Sequence, residues 1–322
     1  AAAQAGEAYG LREDVRRFAA ELAERRGLDA SWVEAQLAQA RRLPAVQRLI
    51  MPPPAGTAKN WEAYRARFVE PVRVQAGLQW WQAHEPWLQL AEARYGVPAE
   101  IVVGIVGVET FYGRVMGHFR VIDALATLSF DFPPGRRDRS DFFRRELEEL
   151  FVLARREAIE PDTLRGSFAG ALGLPQFMPG SINRYGIDFD GDGHVDLRSN
   201  GADVVGSVAN YLAQFGWQRG MPTHYEVAAP VDTPDRAHLL APDIVPSFTP
   251  AQFEERGAAL SPAGRAHEGP LALVELQNGE AAPSYVAGTP NFYAVTRYNW
   301  SSYYAMAVIE LGAAVARERA RR

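Results

Sequence analysis

The chain predicts a mainly α fold with one small β-rich part, and three observations predict it. Apolar residues recur at helical spacing through most of residues 11–221. After Pro222 the composition shifts to Pro, Gly and short alternating runs. From Tyr303 to the end a helical pattern returns.

The elements follow in order. Leu11, Val15, Phe18 and Leu22 mark a first helix, and Gly27 is its stop. Ser31 followed by Glu34 fits a capping box opening a second helix. Met51-Pro52-Pro53-Pro54 cannot lie inside a helix and marks a connection. A segment carrying Trp80, Trp81 and Trp87 leads to Gly96, with these indoles expected in the core. Pro98 then opens a very apolar helix, Ile101-Val102-Val103-Gly104-Ile105-Val106-Gly107-Val108, expected to be buried. In the β-rich part, residues 225–231, 271–277 and 293–298 read as short strands. The expected domains are a helical one over 1–98 completed by 300–322, a core over 99–222, and a small β-rich one over 223–299.

Bulk properties exclude several function classes. A chain of 322 residues suggests roughly two domains. With 47% apolar and 23% charged residues it is an ordinary globular chain, able to bury a core without disulfides. It has no cysteine, which removes disulfides, thiolate catalysis and thiolate zinc sites. A net charge of −5 counts against nucleic acid as a partner. No apolar run approaches the roughly 18 residues that span a bilayer. Ala1-Ala2-Ala3-Gln4-Ala5-Gly6 lacks the charged region and apolar core of an intact signal peptide.

Three constellations carry chemistry. The first is Glu109, which follows the apolar helix. Desolvation there would favour its neutral form, and a carboxyl protonated near neutral pH suits a group that protonates a glycosidic oxygen. Taken alone, the segment fits better an acid that simply caps an exposed helix end. The second is Asp188-Phe189-Asp190-Gly191-Asp192-Gly193-His194-Val195-Asp196, which matches the first nine positions of an EF-hand loop. Acidic side chains stand at one, three, five and nine, glycine at six, and His194 at seven would offer its main-chain carbonyl. Position twelve is Ser199, which cannot replace the bidentate glutamate, and Asp203 is the candidate substitute. An acidic surface turn is the alternative to a Ca2+ site. The third is the glycine-rich segment 166–179, where small residues permit close approach of a ligand, or equally of another helix. Ser167 and Gln176 would present hydrogen-bonding groups there.

Read in order, Val108-Glu109-Thr110, Ala124-Leu125-Ala126-Thr127-Leu128-Ser129-Phe130, residues 166–179 and Gly206-Ser207-Val208-Ala209-Asn210-Tyr211 resemble the membrane-bound lytic murein transglycosylase B family of bacteria. Arg297-Tyr298-Asn299-Trp300-Ser301 and Tyr303-Tyr304-Ala305-Met306 fit the same family, and the resemblance runs from about Asn60 onward. It implies a lysozyme-like helical core with an added helical domain and a small β-rich domain. It implies Glu109 as the catalytic acid and base, and substrate roles for Tyr64, Ser167, Gln176, Tyr211, Tyr298, Asn299 and Tyr304. It implies one structural Ca2+ held by Asp188, Asp190, Asp192, His194 and Asp203, and no organic cofactor. Two departures stand out: Phe111-Tyr112 where the family often has Arg-Trp, and a longer segment around Pro133-Pro134-Gly135-Arg136-Arg137.

The resemblance implies peptidoglycan glycan strands as the substrate, in a periplasmic or outer-membrane-associated setting. Cell-wall synthesis enzymes are the protein partners it suggests. Membrane anchoring would come only from a segment outside this chain. No second carboxylate stands at a motif position, so hydrolysis by a carboxylate pair lacks support. One carboxyl acting as acid and then base, with closure of a 1,6-anhydro ring, is the expected reaction. A hydrolytic muramidase and a non-catalytic, calcium-stabilised wall-binding protein are the alternatives. Tyr112 is expected to join the tyrosines that line the sugar groove.

Overall fold

The computed structural model describes residues 6–54 and 56–322, so the reading of residues 1–5 as no signal peptide lies outside the described residues. The chain forms two compact units, one of residues 6–54 with 113–207, the other of 56–112 with 208–322.

The elements, in chain order, begin with α1 (Glu13–Arg26), α2 (Ala30–Gln39) and α3 (Pro44–Leu49). Next come α4 (Trp61–Phe68), α5 (Pro71–Tyr95) and α6 (Ala99–Thr110), then β1 (Phe119–Arg120), α7 (Val121–Phe130) and α8 (Ser140–Arg156). β2 (Arg165–Gly166), α9 (Pro179–Tyr185) and α10 (Gly201–Gln214) follow. The last stretch is β3 (His224–Ala228), α11 (Thr233–Leu240), α12 (Pro250–Glu255), β4 (Ala259–Leu260), α13 (Pro262–Arg265), β5 (Ala272–Asn278), β6 (Ala281–Gly288), α14 (Pro290–Thr296) and α15 (Ser302–Ala320).

The first unit is built around α7, all of whose residues are buried. The amphipathic α8 packs against it, and Phe143, Leu147, Leu150 and Phe151 form the contact stripe. Polar groups inside this core are satisfied: Asp123 accepts the Arg41 amide at 2.9 Å, and the Thr127 hydroxyl accepts the Leu43 amide at 2.9 Å. β1 and β2 form a short antiparallel ladder that pairs Phe119 with Gly166 and anchors the start of the glycine-rich segment.

The second unit centres on α6, crossed by α15 and flanked by α5. Helices approach this closely only where no side chain intervenes. A methyl group on Gly104 would strike the Val308 carbonyl of α15, and one on Gly312 would strike the Glu100 carbonyl of α6. The sheet of this unit is antiparallel in the order β4-β3-β6-β5, over a core of Leu239, Phe253, Leu260, Leu271, Leu273 and Ala287. Among the described residues no helix is long and apolar enough to cross a membrane.

The helix stops at Gly27 and Gly96 are as expected, both with left-handed φ (64° and 75°). Trp80 and Trp81 are buried, while Trp87 is half-buried. Two local expectations need correcting. The cap of α2 is Asp29, whose carboxylate accepts from the Ser31 and Trp32 amides, rather than a Ser31–Glu34 box. Residues 293–298 are not a strand. Thr289 caps α14 by accepting the Asn291 amide, Pro290 presets its first turn, and these local signals outweigh the alternating pattern.

Candidate functional site

Glu109 sits in the last turn of α6 rather than after it. Seven buried residues, Ile101 through Gly107, fix the helix beneath it. Burial pushes its carboxyl up to about 7, and the Tyr304 hydroxyl opposes that by lowering it. The hydroxyl lies near the carboxyl without a well-aligned hydrogen bond to it. Glu109 as a residue is half-buried, and burial of its carboxyl is the main cause of the shift.

Tyrosines surround it. Tyr298 and Tyr304 lie stacked with ring centroids 6.3 Å apart, and Tyr211 meets Tyr298 edge-on at 4.9 Å. Burial and the charge of Glu109 hold the Tyr298 and Tyr304 hydroxyls well above the ordinary tyrosine range, and they raise Tyr64 as well. These three phenols therefore stay protonated near neutral pH. The Tyr211 hydroxyl donates to the Arg297 carbonyl at 2.8 Å, which ties α10 to the turn that presents Tyr298. Asn299 is exposed in that turn, and its carbonyl accepts from the Ser301 amide. Ser301 in turn caps α15 by accepting the Tyr304 amide at 3.2 Å.

Just beyond Glu109 the backbone is left-handed at two non-glycine residues in succession, Phe111 (φ 53°) and Tyr112 (φ 57°). Such conformations cost about 1 kcal/mol or more each and persist only where packing fixes them. The Arg73 guanidinium lies 4.4 Å from the Phe111 ring centroid. Tyr112 is keyed into a socket that exists because Gly77 and Gly107 lack side chains, since a methyl group on either would strike its ring or hydroxyl. Tyr112 therefore points into the packing of α5, α6 and α15, which corrects its expected place among the sugar-lining tyrosines.

The other unit holds Ser167 and Gln176. The Ser167 hydroxyl oxygen accepts the Ala169 and Ala171 amides, and its carbonyl accepts the Gly170 amide. Gln176 is left-handed (φ 52°), and its side-chain amide donates to the Met116 carbonyl at 3.2 Å and the Gly173 carbonyl at 2.9 Å. Its donors are thus committed locally, and its Oε1 is the atom it can offer a ligand.

The same unit carries the acidic loop. One carboxylate oxygen each of Asp188, Asp190, Asp192 and Asp203 lies within 4.8 Å of the others. Asp203 is buried on α10 and accepts the Phe189 and Asp196 amides, both at 2.9 Å. Burial, and then the charges of Asp190 and Asp188, raise its carboxyl to about 6. Four hard oxygens converging without a basic side chain among them fit a divalent cation such as Ca2+. The His194 imidazole turns to the buried Glu157 carboxylate at 3.1 Å, which leaves its main chain as the donor at that loop position. Asp196, at position nine, accepts instead from the Arg198 and Ser199 amides and the Ser199 hydroxyl.

Sequence reading missed Phe68 and Arg67, which share one face of α4 with Tyr64 at i+3 and i+4 spacing. That spacing was a usable signal. Arg73 had none, because its partner Phe111 is remote in sequence.

The Transglycosylase SLT domain family matches residues 10–313. Membrane-bound lytic murein transglycosylase B of Escherichia coli K12 is 40% identical over 332 residues, covering 98% of this chain and 86% of that one. The E. coli lytic transglycosylase Slt35 in complex with bulgecin A superposes with a TM-score of 0.85 at 38% identity, covering 99% and 97% of the two chains. Slt35 has also been solved in complex with calcium, with a TM-score of 0.84. SltB3 of Pseudomonas aeruginosa, in complex with NAG-NAM-pentapeptide, gives 0.79 at 29% identity over 97% of this chain and 80% of that one. The mainly α architecture, with a lysozyme-like core and a small antiparallel sheet, is the one these enzymes share. With the family matched over nearly its whole length, the chain belongs to the Transglycosylase SLT domain family and is a lytic transglycosylase.

Proposed function

We propose that the chain cleaves the β-1,4 bond between N-acetylmuramic acid and N-acetylglucosamine in peptidoglycan strands, without water, leaving 1,6-anhydro-muramic ends. The observation that carries this reading is the solitary, desolvated Glu109. Burial raises its carboxyl to about 7, and among the described residues no second carboxylate contributes to that shift. A carboxylate pair would raise one member by mutual repulsion, so the hydrolase pattern lacks support here.

Protonated Glu109 would donate to the glycosidic oxygen as the C1–O bond breaks. The substrate's own acetamido oxygen would then bond to C1 and stabilise the cation. Ionised Glu109 would remove the proton from the C6 hydroxyl, whose oxygen attacks C1 and expels the acetamido oxygen. The proton gained balances the proton given, and no water enters. The Tyr304 hydroxyl would steady the carboxylate between the two steps. Tyr64, Tyr211, Tyr298 and Asn299 would contact sugars, the Ser167 carbonyl would accept from a sugar group, and Gln176 would accept an acetamido N–H through Oε1.

We assign Ca2+ to Asp188, Asp190, Asp192, the His194 carbonyl and Asp203, where it would neutralise converging charge and fix the loop. The calcium-bound relative and the carboxylate cluster support this. We further propose the three-part division into 1–98 with 300–322, 99–222 and 223–299, and a periplasmic setting that follows from the substrate.

The test is mass spectrometry of products from purified peptidoglycan, with wild type beside Glu109→Gln. Anhydro-ended fragments that fall by roughly 100-fold or more in the variant are expected. Reducing-end products would make the enzyme a hydrolase, and cleavage undiminished in the variant would remove Glu109 from the mechanism.

A further inference from the structure

Near Glu109 the second unit carries a ladder of alternating rings and guanidinium groups. Arg73 of α5 lies between Phe111 at 4.4 Å and Phe68 at 5.1 Å. Arg67 of α4 lies over Phe68 at 5.4 Å and over Tyr64 at 5.6 Å. Tyr64 and Phe68 are themselves 5.2 Å apart, and Tyr64 senses the charge of Glu109. The ladder therefore runs from the turn after Glu109 to a tyrosine beside it.

Two positive charges held side by side repel each other, and burial weakens Arg73 further. The Arg73 Nε is buried and without a hydrogen-bond partner, while its Nη1 donates to the Arg67 carbonyl at 3.1 Å. The charge of Glu70 offers partial relief, but its carboxylate oxygens accept from the Val72 and Arg73 amides. Neither Arg67 nor Arg73 forms an ion pair among the described residues. The aromatic rings lie 4.4–5.6 Å from the two guanidinium carbons, and the N–H groups at the edges that have no protein partner are the binding element. Edges of that kind match a planar oxyanion, which they hold by charge-assisted, two-pronged hydrogen bonds.

We propose that Arg67 and Arg73 form a carboxylate subsite that recognises the peptide stem of the substrate, in addition to the sugars. The inference rests on the peptidoglycan reading above, in which the muramic acid carries a peptide whose carboxylates are the anions available at the site. The ladder ties that recognition to catalysis, because Phe111 caps the helix end bearing Glu109.

The experiment compares glycan strands that carry peptides with strands of equal length stripped by an amidase. Affinity is measured by calorimetry in a Glu109→Gln background, and kcat/KM with Glu109 intact. The chain is expected to favour peptide-bearing strands. Arg67→Gln and Arg73→Gln should each lower affinity and kcat/KM about tenfold more for those strands than for stripped strands. Arg67 is exposed, so its variant will fold even if the Arg73 variant does not. Arg73→Lys, which keeps the charge and loses the fork, should fall between wild type and Arg73→Gln. Equal affinity for both strands, or equal losses on both in the Arg67 variant, would overturn the subsite. A retained peptide preference without anhydro products would instead sink the transglycosylase mechanism and spare the subsite.

Discussion

At the scale of the residue, Glu109 combines an ordinary side chain with an unusual address. Its raised carboxyl fixes the sign of two pH effects. In the proposed mechanism the first proton transfer needs the neutral acid, so kcat/KM should fall tenfold per pH unit above about 7. Tyr304→Phe removes the contact that lowers Glu109, so a pH profile of that variant should show its alkaline limb moved upward. Stability follows from the same shift. The folded state binds the proton more tightly than the unfolded chain, so stability declines as pH rises from about 4.5 to about 7 and then levels. Glu109→Gln should therefore be more stable than wild type at pH 8, by on the order of 2–3 kcal/mol in urea unfolding. The difference should vanish at pH 4. Glu109 was conspicuous in sequence as an acid following eight apolar residues, but that segment alone fitted a helix cap better, and the family resemblance carried its role. Its tyrosine surround was legible only through the family resemblance, since spacing alone does not bring Tyr64, Tyr211, Tyr298 and Tyr304 together.

At the scale of the element, the crossing of α6 and α15 positions the site. Glu109 is on one helix and Tyr304 on the other, so their separation depends on how closely the backbones approach. Gly104→Ala would push a methyl group into the Val308 carbonyl, which is backbone and cannot swing aside. We expect a loss of about 2–3 kcal/mol in denaturant unfolding and a fall in kcat larger than that in affinity for strands. Unchanged stability would mean the helices part more easily than the packing indicates. Helix ends were the most legible elements, because Gly27, Gly96 and Pro98 act through their own backbones. The segment 293–298 was misread for the converse reason. Its alternation of apolar residues is a weak signal, and the cap at Thr289 lies outside the window in which the alternation appears.

At the scale of the whole molecule, the chain visits its two compact units in turn, leaving the first near residue 55 and returning at 113 before leaving again near 207. The acidic loop belongs to the first unit, so calcium should act on that unit's stability. Saturating Ca2+ is expected to raise its thermal midpoint by roughly 5–10 °C, with a chelator reversing the gain. Asp190→Asn should abolish most of the response. A midpoint indifferent to calcium in wild type would reduce the loop to an acidic turn. Calorimetry checks this directly, and any separate transition of the second unit should stay in place.

The sequence by itself determined most of the helices, their stops and the acidic loop, because each is written in neighbouring residues whose backbone preferences or hydropathy act locally. Only the tertiary structure decided that Tyr112 faces inward, that Gln176 has spent its amide donors, and that Arg73 stacks on Phe111. Those outcomes depend on close approach between segments distant in sequence. For Tyr112, glycines at 77 and 107 leave the space it fills, yet nothing local to a glycine specifies which partner will fill its space.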